Sequence, residues 1–242
     1  MTLQVANVTG GYHQLPVLKN IDFTIENGEM VGLIGLNGAG KSTTIKEIIG
    51  LLQPHSGKIT IDGLTLKEQP EAYRKKIGYI PETPSLYEEL TLREHIEVTA
   101  MAYDLPQEEA MARAARLLKT FRLDNKLDWF PANFSKGMKQ KVMVLCAFLI
   151  EPSVYIIDEP FLGLDPLAIN ALLELMNEMK QSGAAILMST HILATAEKYC
   201  DKFILLHNGE IRAQGTLAQL QAEFHTPDAS LDDLYLALTK EQ

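Results

Sequence analysis

One stretch of eight residues constrains the whole chain: Gly35-Leu36-Asn37-Gly38-Ala39-Gly40-Lys41-Ser42. It fits the phosphate-binding pattern G-x-x-x-x-G-K-[ST] at every fixed position. Before it, Met30 to Ile34 is a short apolar run that predicts a buried strand. After it, Thr43 to Ile49 carries apolar residues at helical spacing. The loop therefore joins a strand to a helix N-terminus. Gly35, Gly38 and Gly40 let the backbone curl around an anion with its N–H groups turned inward. The helix dipole adds partial positive charge at the same place. Lys41 is placed to reach the β- and γ-phosphates of a nucleoside triphosphate, and the Ser42 hydroxyl to ligate Mg²⁺.

With 242 residues, 46% of them hydrophobic, the chain suits one large α/β domain or one domain with a small inserted lobe. A net charge of −9 argues against a nucleic-acid binder that works by neutralising phosphates. Cys146 and Cys200 lie in apolar helical patterns, and their spacing suggests neither a disulfide framework nor a metal site. The start of the chain shows no signal peptide. The longest apolar run, Val142 to Ile150, is far short of the about 20 residues that cross a bilayer. We expect a chain soluble by itself, with any membrane role supplied by a partner.

Leu3, Val5 and Val8 begin a strand that ends at Gly10-Gly11, and Ile21, Phe23 and Ile25 alternate with polar residues in a second. Asn27-Gly28 is a hairpin signal, so an antiparallel ribbon is expected before the phosphate loop. Tyr12 falls in that ribbon's loop, either as a base-stacking aromatic or as an ordinary tyrosine. Ile77 to Ile80 predicts a strand stopped by Pro81, with Glu82 just beyond its end, where ligands sit in open α/β sheets. From Thr91 to Ile150 the pattern is mostly helical; Thr91 with Glu94 forms a capping box, and Ser135 caps a long helix. Residues 88–150 read as an inserted helical lobe. Val154 to Ile157 returns to a buried strand, Asp165-Pro166 starts a helix, and Ala185 to Met188 is a further strand ending in Ser189-Thr190-His191. Short helices are expected at Leu217 to Phe224 and Leu231 to Leu238.

An apolar strand ending in Asp158-Glu159 is the expected second half of a nucleotide site. Asp158 is placed to hold Mg²⁺. Glu159 is placed to take a proton from the water that attacks the γ-phosphate. The bland alternative is a carboxylate pair that solvates a strand end. His191, at the end of another strand, is a weak signal alone, although a neutral imidazole there could donate to γ-phosphate oxygens.

Phe134-Ser135-Lys136-Gly137-Met138-Lys139-Gln140 resembles the signature of the ATP-binding cassette (ABC) ATPases, usually Leu-Ser-Gly-Gly-Gln. Its distance before Asp158-Glu159 is similar to the family's, Gly163-Leu164-Asp165 resembles the D-loop, and His191 the switch histidine. Tyr12 falls where the family places its adenine-stacking aromatic, and Glu82 where most members have the Q-loop glutamine. Seven motifs occur in the family's order over nearly the whole chain. The resemblance implies a P-loop NTPase core of ABC type, with a RecA-like sheet, an antiparallel β subdomain and an inserted helical subdomain. The domain would span 1–230, with a short helical tail at 231–242. Nucleotide contacts would come from Tyr12 and from Gly35, Leu36, Asn37, Gly38, Ala39, Gly40, Lys41, Ser42 and Thr43. Ser42, Glu82 and Asp158 would hold Mg²⁺, and Glu159, His191 and Glu82 would serve hydrolysis. Ser135, Lys136, Gly137 and Met138 would act across a dimer of two copies around two ATP molecules. Glu82, Lys136 and Met138 depart from the usual residues. Glu82 still offers an oxygen ligand. Lys136 either adds charge near a γ-phosphate or is a solvated lysine.

Within that family, Ile80 to Thr91, Phe134 to Lys141 and Asp158 to Pro166 are similar to the ATP-binding subunits of Ecs-type transporters of Gram-positive bacilli. That implies an exporter-type machine with a separate EcsB-like integral-membrane permease, and a place at the cytoplasmic face of the membrane through it. Two rivals stand beside this. A soluble cassette ATPase acting on ribosomes or nucleic acid would usually carry two cassettes or a long coiled coil, and this chain has neither. A regulatory module that binds ATP without turnover is opposed by Glu159.

Overall fold

The computed structural model describes residues 2–13 and 15–240, so positions 1, 241 and 242 of the expected domain limits lie outside the described residues. Strands β1 (Leu3–Tyr12) and β2 (Leu15–Ile25) pair antiparallel. β3 (Met30–Ile34) leads through the phosphate loop into helix α1 (Lys41–Ile48). β4 (Ser56–Ile61) adds to β1, which closes a three-stranded antiparallel sheet of order β2-β1-β4. Helix α2 (Pro70–Arg74) precedes β5 (Ile77–Ile80). Three helices follow, α3 (Leu92–Ala102), α4 (Gln107–Phe121) and α5 (Lys136–Leu149). The chain then alternates through β6 (Val154–Asp158), α6 (Pro166–Gln181), β7 (Ala185–Thr190) and α7 (Leu193–Tyr199). β8 (Lys202–His207), β9 (Glu210–Gly215), α8 (Leu217–Glu223) and α9 (Leu231–Lys240) complete it.

The second sheet has the order β5-β6-β7-β3-β8-β9. Its first five strands are parallel, and β9 returns antiparallel to β8. Every residue of β3, β6 and β7 is buried, as expected of parallel strands covered on both faces. Alternation sorts their side chains. Tyr155, Ile157, Ile186 and Met188 join a cluster with α3–α6, whereas Val154, Ile156, Ala185 and Leu187 join one with α1 and the antiparallel sheet. The core of α3–α5 is continuous with the sheet: Phe148 stacks on Tyr155 with ring centroids 4.7 Å apart. A third cluster sets Ile34, Phe203 and Leu205 against α7–α9.

Local capping follows the expected residues. Thr91 and Glu94 form the reciprocal box, Ser135 accepts from the Met138 N–H, and Asp165 from the Ala168 N–H. Asn27-Gly28 is a correction. It joins β2 to β3 across two different sheets and makes no hairpin, because β3 pairs on both sides with β7 and β8. The ribbon that does precede the loop turns between Tyr12 and Leu15, so β1 runs past Gly10-Gly11. Cys200 follows α7 instead of lying inside it. The helices α2 and α7, five and seven residues long, are too short to show a helical period.

Helix α1 carries one ionisable group into the core. Glu47 is 3% exposed, its carboxylate packs on the backbone of Gly10, and neither oxygen has a hydrogen-bond partner among the described residues. Burial pushes its pKa from 4.5 up to about 7, opposed by the charge of His55. The folded chain thus holds this proton more tightly than the unfolded one. The stability it confers is complete below pH 4.5 and lost as pH rises to about 7. Glu47→Gln should therefore be more stable than the parent at pH 8, by up to about 3 kcal/mol, with the gap closing near pH 4.5. Urea unfolding at the two pH values checks this; an equal gap at both would exclude the titration.

Candidate functional site

β3 lies between β7 and β8, and its carboxyl end runs directly into the phosphate loop. Gly40 caps α1 with φ 114° and no side-chain acceptor, so the first N–H groups of α1 are not taken by a capping side chain. A Cβ at that φ would be strained, and it would also lie 2.7 Å from Leu18 Cδ2. The loop is braced from behind. Ala39 donates to Leu36 O, Gly209 donates to Ala39 O at 2.9 Å, and Leu36 N–H donates to the Tyr235 hydroxyl at 2.7 Å. Lys41 is buried, and its Nζ donates to Gly35 O at 2.6 Å and to Leu36 O at 3.5 Å. Ser42 is exposed on the first turn of α1, as are Leu36, Asn37 and Gly38 along the loop, while Gly35, Ala39, Gly40 and Thr43 are buried.

Tyr12 ends β1, and Lys46 of α1 donates to its hydroxyl at 3.0 Å. That hydrogen bond, with a further one from Thr43 and the lysine charge, lowers the Tyr12 pKa. The ring is half-exposed beside Thr43 and Lys46 of α1.

The acidic side of the site stands at the ends of neighbouring strands. Asp158 closes β6 and pairs in register with Ser189 of β7. The Ser189 hydroxyl donates to Asp158 Oδ1 at 2.5 Å. Asp158 is 6% exposed, and burial raises its pKa. The negative charges of Glu82 and Glu159 act in the same direction, while the Ser189 hydrogen bond and the Lys41 charge oppose it. Glu159 sits at φ 46°, a left-handed conformation that side chains seldom adopt, with its N–H donated to Ser189 O and Oγ. This turns its carboxylate toward His191. Oε2 accepts from the His191 backbone N–H at 3.2 Å and lies 2.8 Å from His191 Nδ1. Glu82 is exposed, two residues past the end of β5, close enough to act on Asp158 by charge. Lys41, Glu82, Asp158, Glu159 and His191 thus converge from β3, β5, β6 and β7.

The signature segment packs elsewhere in the same chain. Ser135 and Lys136 are exposed at the start of α5. Gly137 approaches so closely that a Cβ there would lie 2.3 Å from Gly163 O, and Lys136 runs alongside Gly163. Met138 packs on the core of the helical segment. Lys141 Nζ bonds Asp165 Oδ2 at 2.6 Å and holds the aspartate pKa down. On its other flank α5 reaches the segment after β5: Gln140 Nε2 donates to Pro81 O, and Lys139 pairs with Glu88 at 2.9 Å.

Three contributors were not singled out from sequence: Ser189 on Asp158, Lys46 on Tyr12 and Tyr235 on Leu36. The position of Ser189 at a strand end beside His191 was the one available signal.

The family model for ABC transporters matches residues 18–162. The ABC-type transporter ATP-binding protein EcsA of Bacillus subtilis (strain 168) is 67% identical over 239 residues, covering 99% of this chain and 97% of that protein. A solved ATP-binding subunit of an ABC transporter superposes with a TM-score of 0.97 at 60% identity, covering 99% of this chain and 100% of that one. The ATP-binding cassette MJ0796, solved as a dimer in a post-hydrolysis state with ADP and Pi, superposes with a TM-score of 0.80 at 27% identity, covering 89% and 98%. The chain belongs to the ABC transporter family, as an ATP-binding and ATP-hydrolysing subunit with the P-loop NTPase fold of that family.

Proposed function

We propose that two copies of this chain close around two ATP molecules and drive a separate, EcsB-like integral-membrane permease of the exporter type. The observation that carries the shared site is a division within one chain. Lys41, Asp158, Glu159 and His191 converge at the ends of β6 and β7 and the start of α1, whereas Lys136 and Gly137 lie against Gly163 and Lys141 is bonded to Asp165. In this reading the signature helix that faces a γ-phosphate is supplied by the second copy. The similarity to MJ0796, solved as a dimer with ADP and Pi, supports a two-copy assembly. The chain is then peripheral, at the cytoplasmic face of the membrane through the permease. Among the described residues no helix is long and apolar enough to cross a bilayer. We assign residues 1–230 to the cassette domain, with its helical insertion at about 88–150, and 231–242 to a tail.

The roles follow from the chemistry. The loop Gly35 to Gly40 and the first turn of α1, with Lys41, Ser42 and Thr43, cradle the phosphates. The oxygen donors Ser42, Asp158 and Glu82 suit Mg²⁺, which supplies charge neutralisation on the phosphates when bound. Burial and neighbouring carboxylates raise the cost of the Asp158 charge, so a cation there has a favourable partner. Glu159 accepts the proton of the attacking water, and the His191 backbone N–H fixes its carboxylate for that task. His191 stands beside it at the γ-phosphate end of the site. Lys136 adds positive charge to the signature end of α5, and Met138 anchors that end in the core. The D-loop residue Asp165 caps α6 and locks Lys141.

Tyr12→Ala should weaken ATP binding by about 0.5–1.5 kcal/mol through lost stacking, while Phe or Trp at 12 preserves it. Equal affinity for the alanine variant would leave Tyr12 as a partner of Lys46 alone. Glu159→Gln should slow hydrolysis about 10²-fold or more while leaving ATP bound. Its ATP-bound dimer should then accumulate in size-exclusion chromatography with Mg-ATP at low and moderate salt. A variant that binds ATP yet stays monomeric, with and without the permease, would exclude the shared site. Turnover at the parent rate would remove Glu159 from the role of base.

A further inference from the structure

Helix α9 reaches the phosphate loop through one buried hydroxyl. Tyr235 is 5% exposed; its oxygen accepts the Leu36 N–H at 2.7 Å and donates to Leu206 O at 3.4 Å. Leu36 is the first residue after Gly35, and its own carbonyl accepts from Ala39 N–H and from Lys41 Nζ. The Tyr235 hydroxyl thus links the start of the loop to Leu206 near the end of β8. Burial raises its pKa, so it stays a protonated donor to Leu206 at neutral pH. The helix that presents it is anchored twice more. Leu231, Leu234 and Leu238 pack with Ile34, Ala196, Phe203 and Leu205, and the Leu231 N–H donates to Glu197 Oε2 at 2.7 Å. Ala196 and Glu197 belong to α7, which starts two residues after His191.

We propose that Tyr235 is a positioning residue for ATP: its hydroxyl sets the phosphate loop in the shape that binds nucleotide, and α9 thereby ties that loop to the helix following His191. Backbone amides bind phosphate only when their directions are fixed beforehand, and each flexible loop amide that must be ordered on binding weakens affinity. A hydroxyl that holds the Leu36 N–H in place removes one such freedom. The lost contact acts on phosphates and leaves the adenine side, at Tyr12, untouched. The inference rests on the proposed role of the loop Gly35 to Ser42.

Tyr235→Phe keeps the ring and removes the hydroxyl. Leu220→Ala empties a buried site in the same cluster without touching the loop. Titration calorimetry with ATP and with ADP is run on the folded full chain, together with Lys41→Ala. We expect Tyr235→Phe to weaken both nucleotides about three- to tenfold, the scale of one hydrogen bond. It should raise KM for ATP more than it lowers kcat, and speed amide exchange at Leu36. Leu220→Ala should bind nucleotide like the parent. Parent affinity in Tyr235→Phe, or equal weakening in Leu220→Ala, overturns the proposal. If Lys41→Ala also binds ATP like the parent, the loop's role itself fails. If Lys41→Ala loses binding and Tyr235→Phe does not, only the hydroxyl's role fails.

Discussion

Three carboxylates, Glu82, Asp158 and Glu159, stand together at the ends of β5 and β6, and their mutual repulsion is what the surrounding structure must offset. The most buried of them, Asp158, receives the Ser189 hydroxyl and the field of Lys41. Glu159 receives the His191 backbone N–H. The compensating groups come from other elements than the carboxylates: Ser189 and His191 from β7 and its end, Lys41 from the start of α1 just after β3 and the loop. The arrangement therefore exists only if β6, β7 and β3 keep one register. That register is set in the core, where Val154, Ile156, Ala185 and Leu187 face one cluster and Tyr155, Ile157, Ile186 and Met188 the other. A slip by one residue would exchange the two sets and carry Asp158 to the wrong face. Hydrophobic sorting several residues below the site thus decides which oxygen meets which donor above it.

What could be read in advance was local. The phosphate loop, the Asp158-Glu159 pair, and the caps at Thr91, Ser135 and Asp165 are each complete within a few residues, so spacing alone reveals them. Ser189, Lys46 and Tyr235 are separated from their partners by 31, 34 and 199 positions, and no local pattern marks such a pair. Asn27-Gly28 shows the opposite failure. Its turn chemistry is real, but the turn leads out of one sheet into another, because parallel partners on both sides of β3 outweigh a local hairpin preference. Glu47 was invisible for a simpler reason: a lone glutamate in a helix normally faces water, and only the approach of Gly10 shows that this one does not.

The proposed dimer places a mechanical demand on α5. Its N-terminus must meet the phosphates of another copy, yet within its own chain it is held on two sides. Lys139 and Glu88 form an exposed pair, worth at most about 1 kcal/mol. Gln140 Nε2 binds Pro81 O, one residue before Glu82, from a buried position. On the other side Gly137 lies against the Gly163 carbonyl with no room for a Cβ, and Lys141 is bonded to Asp165. Close packing transmits displacement more faithfully than exposed ion pairs, because dense contacts have little freedom to slide. In the proposed dimer, drawing Ser135 toward a nucleotide on the second copy would carry the segment Gly163 to Asp165 with it. That segment begins four residues after Glu159. In the proposed dimer the geometry of Glu159 in one site would thereby be tied to the occupancy of the other, through the backbone contact at Gly137.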